Sequence, residues 1–362
     1  MLAKKKKVNK KKVDKKNVIS IVSIIVVLLG VVGWICYINA TNYVATIKGE
    51  KITVDEFKFF LGSTMVEMEQ NANVDRTSES ALKAFWDTKI EGMDAREYAK
   101  QQALNSAKEY KIQLIKAKEK GLKLSKNEIE ETKAILNQIK QEMAANYGSD
   151  AKGEEAFRKD YNIGYDRYEK ILRNLRLIYK YVEQELPTFD VTDTEMEEYY
   201  KESPNTVDKV KVRRIMFATM NLNTQKEYTV QEKEEIKEKA KKVLERIKAG
   251  EDSEKLALEY SDDPSLQDNK GLFEVTAQTT STIPGYVEWV LDHKPGDADL
   301  LESEVGYFVV KVESRTTYDE VKDAVKEAVQ TKKYLERLEK WANDSEFNVI
   351  KNDNIYNKIY IK

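Results

Sequence analysis

One cysteine, one histidine and five prolines are spread over 362 residues, and each scarcity closes off a class of chemistry. A lone Cys36 excludes an intramolecular disulfide framework and clustered-thiolate zinc or iron–sulfur sites. A lone His293 excludes multi-histidine metal sites, and any Ser–His or Cys–His catalytic pair would have to run through it. No glycine-rich phosphate loop occurs, and Asp262-Asp263 and Asp297-Ala298-Asp299 are too sparse for a calcium loop. No metal and no cofactor are expected. With so few helix breakers and 34% charged residues, the chain reads as soluble over most of its length, rich in helix, and long enough for two or three modules.

Charge is divided rather than spread. Residues 1–17 carry nine of the 61 basic residues and one of the 63 acidic ones, a net of +8, and residues 18–40 carry no charge. That leaves 52 basic and 62 acidic residues over 41–362, a net of −10, which argues against a nucleic-acid partner. The uncharged run 18–38 is long enough, at ~1.5 Å per residue, to cross a hydrocarbon core of ~30 Å. A buried core helix is rarely so long and so free of polar groups, so the run is predicted to be a single transmembrane helix. The basic tail before it, Lys4 to Lys16, places the N-terminus in the cytoplasm and the rest outside the cell membrane. Trp34 and Tyr37 lie near the outer end, where amphipathic rings prefer the interface. The run exceeds the roughly 7–15 residues of a signal-peptide core, which favours a retained anchor over a cleaved one. Cys36 follows Trp34 and Ile35, poor neighbours for a lipidation site, and reads as an apolar residue of the span.

Beyond the span, 44–47 and 48–52 read as strand, glycine turn and return strand. Thr53-Val54-Asp55-Glu56 is a capping box that opens a helix, as are Ser125-Lys126-Asn127-Glu128 and Thr192-Asp193-Thr194-Glu195. Helical spacing covers 94–119, 125–146, 152–161 and 164–186, the last stopped by Pro187. The pattern changes at Pro204. A strand over 207–218 is followed by helices over 230–249, 253–260 and 285–291, then a strand over 306–312. A long amphipathic helix follows over 318–343. A terminal segment over 347–361, rich in Ile and Tyr, has strand character.

The β-α-α-α-β segment 207–314 resembles a parvulin-type (PpiC-like) peptidyl-prolyl isomerase domain. The residues that carry the likeness are Val210-Lys211-Val212-Arg213-Arg214-Ile215-Met216-Phe217, Lys248-Ala249-Gly250, Ser253 to Asp263, Lys294-Pro295-Gly296-Asp297 and Glu304 to Val312. The flanks are similar to PrsA-like foldases and SurA-like periplasmic chaperones, in which an N-terminal helical module, completed by a C-terminal helix, holds client chains. The resemblance implies an α+β chain with five parts: a basic tail (1–17), a span (18–38), a SurA-N-like helical chaperone module (44–203), an inserted parvulin-like domain (207–314), and a C-terminal helix and tail (316–362) packing back on the module. The implied partners are unfolded or newly secreted polypeptides; whether two copies pair as a homodimer is left open.

Isomerisation about an X–Pro bond meets a barrier of roughly 20 kcal/mol and needs no nucleophile, only a pocket for the proline ring and polar groups that favour the twisted amide. The family places a His on the opening strand, a Cys or Asp after the second helix, a Met and a Phe around the ring, and a His on the last strand. On this chain those positions fall on Arg214, Asp263, Thr282, Tyr286 and Phe308. Arg214 and Asp263 are the implied catalytic pair, and Thr282, Tyr286 and Phe308 the implied proline pocket. Both histidines are absent, and His293 reads as an exposed turn residue. Arg214 is permanently charged and is expected to pair with Asp263, so the domain is read as degenerate. Two other functions stay open: a pure holdase without catalysis, motivated by Met65, Met68, Phe85, Trp86 and Met93, and a helical surface spacer. Core packing is the plainer expectation for those five side chains.

Overall fold

The computed structural model describes residues 42–361. The expected basic tail and the expected membrane-spanning helix lie outside the described residues. Among the described residues no helix is long and apolar enough to cross a membrane. The described chain divides into two compact units: one comprises residues up to Glu185 together with those from Glu336, the other Leu186–Leu335.

The first unit opens with a hairpin of β1 (Tyr43–Ile47) and β2 (Glu50–Thr53). Lys48 and Gly49 both take positive φ, 48° and 79°, the turn whose twist matches that of paired strands. Thr53 then caps α1 (Val54–Asn71), with both bonds of the capping box to Glu56 formed. The same carboxylate accepts two bonds from Lys111 Nζ, at 2.8 and 3.0 Å, inside the unit. A short helix α2 (Glu79–Trp86) and a two-residue hairpin, β3 (Lys89–Ile90) with β4 (Met93–Asp94), follow; neither is legible in the hydrophobic pattern. In α3 (Ala95–Glu119) the buried side chains Ala95, Ala99, Ala103 and Ala107 form one stripe of small residues at helical spacing, which lets α1 and the hairpin approach closely. α4 (Lys126–Tyr147), α5 (Asp150–Tyr161) and α6 (Tyr165–Glu185) complete the helical part. The Ser125 capping box is formed at the start of α4. Trp86 is buried, and Met65, Met68 and Phe85 pack against the same core.

The second unit begins with a 3-10 turn through Pro187. Residues 186–203, read from sequence as the end of the helical module, fall in this unit, where Met196 of α7 (Asp193–Glu202) packs on Val321, Val325 and Val329. The α+β part holds β5 (Val210–Ala218), α8 (Val230–Lys248), α9 (Ser253–Tyr260), α10 (Leu266–Asn269), β6 (Leu272–Val275), α11 (Tyr286–Asp292), β7 (Ala298–Ser303) and β8 (Gly306–Arg315). Its sheet has the order β6-β5-β8-β7, antiparallel throughout. The β-α-α-α-β scheme is therefore corrected: two edge strands, β6 and β7, flank the expected pair. They escape the sequence pattern because one has four residues and the other mixes Asp299 and Glu302 with two adjacent leucines. Leu300 and Leu301 face opposite sides of a sheet that is covered on both.

The long helix α12 (Tyr318–Asn343) passes from the second unit to the first. Beyond it, β9 (Val349–Lys351) pairs antiparallel with β1, giving a three-stranded sheet in the order β2-β1-β9. The strand character expected over 347–361 is confined to these three residues; α13 (Asp353–Tyr356) takes up part of the remainder.

Candidate functional site

The alternation of β5 separates two adjacent arginines. Val212, Met216 and Ala218 face α11, and by the period of the strand so does Arg214. Ile215 and Phe217 face α8 and α9. Arg213 goes to that side as well, donating to the Lys270 carbonyl at 2.7 Å and to Glu254 at 3.1 Å. Phe308 of β8 sits opposite Met216 in register and joins the α11 face.

The β6 ladder along β5 ends at Arg213. From there the free edge of β5 is satisfied by loops. The Arg214 amide donates to the Gly271 carbonyl (2.8 Å), the Met216 amide to Ser261 Oγ (3.0 Å) and the Ala218 amide to Asp262 Oδ2 (3.0 Å), while the Asp262 amide donates to the Met216 carbonyl (2.8 Å). Buried backbone groups must find partners, and Ser261-Asp262 supplies them here, which carries Asp263 to the side of Arg214. Gly271 is required at this crossing: its φ is +77°, and a Cβ there would meet the Arg214 carbonyl at 2.8 Å.

Arg214 Nη2 donates to Asp263 Oδ2 at 2.9 Å. Asp263 Oδ1 accepts from the Ser265 amide at 2.9 Å and its hydroxyl at 2.7 Å. Burial alone would raise the Asp263 carboxyl, but the Ser265 bonds and the Arg214 guanidinium outweigh it and hold the group below its ordinary value. Asp263 is thus an anion at neutral pH. The guanidinium lies over three rings, 3.9 Å from the centre of Phe273, 5.6 Å from Phe308 and 5.9 Å from Tyr286. Burial raises the Tyr286 phenol. Two polar atoms of the cluster, Arg214 Nε and the Tyr286 hydroxyl, are buried without a partner.

Of the residues anticipated from sequence, Arg214, Asp263, Tyr286 and Phe308 are brought into one cluster. Thr282 is not; it is exposed, and its neighbour Ile283 is the buried side chain that joins Tyr286 and Phe308. Met216 and Phe273 complete the group, and strand alternation from Arg214 could have found Met216. Phe273 escaped the sequence pattern because it lies on β6, a four-residue edge strand that the pattern does not reveal. His293 is half-buried rather than exposed: its ring stacks on Trp289 at 4.2 Å, and Nδ1 lies 2.6 Å from the Trp289 carbonyl. Met216, Tyr286 and Phe308 are only 6%, 2% and 4% exposed, so the rings pack on one another and on the guanidinium.

Residues 198–316 match the sequence profile of the PPIC-type PPIASE domain. The chain is 26% identical over 273 residues to a foldase protein PrsA of Clostridium botulinum, covering 70% of this chain and 74% of that one. It is 24% identical over 287 residues to a foldase protein PrsA of Caldanaerobacter subterraneus, covering 78% of each. Among solved structures it overlays on foldase protein PrsA from Streptococcus pneumoniae with a TM-score of 0.38 at 19% identity, covering 72% of this chain and 88% of that chain. PrsA from Bacillus subtilis overlays with a TM-score of 0.29 at 21% identity, covering 80% and 93%. The resemblance to parvulin-type isomerases and PrsA-like foldases, read from the residues, holds.

Proposed function

We propose that this chain is a membrane-anchored extracytoplasmic foldase whose helical unit holds unfolded, newly secreted polypeptides and whose PPIC-type domain is a weak or silent isomerase. Residues 18–38 span the membrane, with the lysine tail in the cytoplasm and residues after 40 outside. The PPIC-type match and the foldase relatives support the client class. The observation that carries the catalytic half is the Arg214–Asp263 ion pair at 2.9 Å, seated among Phe273, Tyr286 and Phe308. The family's histidines can exchange donor and acceptor roles as neutral rings. A guanidinium only donates, never loses its proton, and is held here by its own carboxylate.

The test uses the full chain in phospholipid nanodiscs. The exchange rate of an X–Pro peptide is measured by NMR beside the aggregation of an unfolded client. Suppressed aggregation without faster exchange is expected. Exchange well above the uncatalysed rate sinks the catalytic half, and unchanged aggregation sinks the chaperone half. One observation favours the second reading, an active isomerase: the unpartnered Arg214 Nε and Tyr286 hydroxyl are donors that a prolyl carbonyl could accept from. Nothing favours the spacer reading, in which the α+β domain has no task.

A further inference from the structure

The helical unit contains a cavity of about 540 Å3 that the PPIC-type site does not use. Its apolar lining comes from Met65 and Val66 of α1, Leu82 and Trp86 of α2, and Tyr360 and Ile361 at the end of the chain. Its polar wall is a chain of paired groups. The Glu69 carboxylate, itself buried, accepts from Trp86 Nε1 at 2.9 Å and from Arg76 Nε at 2.9 Å. Arg76 Nη2 donates to Asp160 Oδ1 at 2.7 Å, which brings α5 into the wall. These bonds fix the wall and leave it with one net negative charge, two carboxylates sharing one guanidinium.

Two atoms take no part in that chain: Arg76 Nη1, a donor, and Asp160 Oδ2, an acceptor. A peptide group presents one acceptor and one donor, the complement of that pair. The volume lies within the ~300–1,000 Å3 of pockets that enclose a ligand. The apolar side is adaptable: Met65 has a flexible, polarisable side chain, and Tyr360 is 81% exposed. Glu79 and Lys159, exposed and of opposite sign, line the same cavity and offset each other, so the lining keeps only the single negative charge of the wall.

We infer that this cavity holds an extended stretch of unfolded polypeptide. One bulky apolar or aromatic side chain of the client packs against Met65, Leu82 and Trp86, and a client peptide group meets Arg76 and Asp160. The inference rests on the foldase reading and names the place where the client is held.

The test uses the full chain in nanodiscs and fluorescein-labelled Gly-Ser-Thr peptides that carry one central Trp, Leu or Ala, with binding read by anisotropy. The Trp and Leu peptides are expected to bind about tenfold or more tighter than the Ala peptide. Leu82→Trp fills the cavity and is expected to weaken the Trp peptide by about the same factor. Circular dichroism establishes that the variant is folded; if it is not, Val66→Phe replaces it as the filling variant. Equal binding of the Trp and Ala peptides, or a folded filling variant that binds like the parent, overturns the inference. If aggregation is still suppressed when the filling variant binds normally, the client is held elsewhere and the foldase reading survives alone. If the chain neither binds peptide nor suppresses aggregation, both fall.

Discussion

Arg214 and Asp263 set a permanent cation against a carboxylate on the α11 face of β5. The loop after α9 still delivers a carboxylate to the α11 face of β5, yet the partner it meets there is a permanent cation. Replacing Arg214 and Phe308 together by histidine restores the family's pair. The double variant is expected to accelerate X–Pro exchange by about tenfold over the parent, ~1.4 kcal/mol of barrier, in the same NMR assay. A second pair is structural. Asp208, fully out of solvent, accepts from Arg315 at 2.8 Å and from Tyr200 at 2.9 Å. Arg315 also donates to the carbonyls of Leu291 and His293 at the end of α11. Burial, and then Asp208, push the Tyr200 phenol up to about 12. Arg315→Met strands a buried carboxylate and is expected to cost about 3–5 kcal/mol, read as a lowered urea midpoint.

At the scale of elements, helix starts and helix crossings follow different rules. The capping boxes at Thr53, Ser125 and Thr192 are formed as the four-residue motif requires, because a cap is satisfied by its own neighbours. A fourth, Thr229 with Glu232, opens α8. Crossings depend on distant chain. Gly62 of α1 meets α5 so closely that a Cβ would lie 2.4 Å from the Asp160 carbonyl and 2.6 Å from Tyr161 Cα. The clash is with backbone, so neither helix can yield by turning a side chain. Gly62→Ala is expected to destabilise the first unit by about 1–3 kcal/mol in thermal or urea unfolding. By moving Asp160, it should also weaken peptide binding at the cavity more than a surface substitution of equal cost.

Across the whole molecule, both units carry carboxylates held ionised by the fold. Glu128 is lowered to about 2, first by Lys180 and then by the Ser125 cap. Glu195 is lowered to about 2, first by Lys333 and then by the Thr192 amide. A carboxyl lowered in the folded state stabilises it fully above the ordinary value of 4.5 and loses that contribution as pH falls through the folded value. Acid unfolding followed by circular dichroism is therefore expected to set in below about pH 4.5 and progress toward pH 2, with stability flat above it. Glu195→Gln should shrink the acid-dependent loss in the second unit, and unchanged acid sensitivity would count against this assignment.

The sequence by itself determined what depends on near neighbours. The hairpin at Lys48-Gly49, the three caps, the period of the long helices and the pairing of Arg214 with Asp263 were legible because turn chemistry, local hydrogen bonds and the choice of charged partner need only short-range information or a known frame. A membrane anchor over residues 18–38 was an expectation from composition and charge, and it lies outside the described residues. Only the tertiary structure decided the rest. β6 and β7 exist because β5 and β8 give them edges to pair with, since their own residues carry a weak signal. Thr282 yields its expected place to Ile283 because one step along the chain turns a side chain out of the core. The carboxylate that caps α1 also holds Lys111, and β9 reaches back to β1, across stretches of chain that no local pattern spans. The cavity beside Trp86 belongs to the same class. Its walls come from α1, α2, α5 and the chain end, and only packing brings those together.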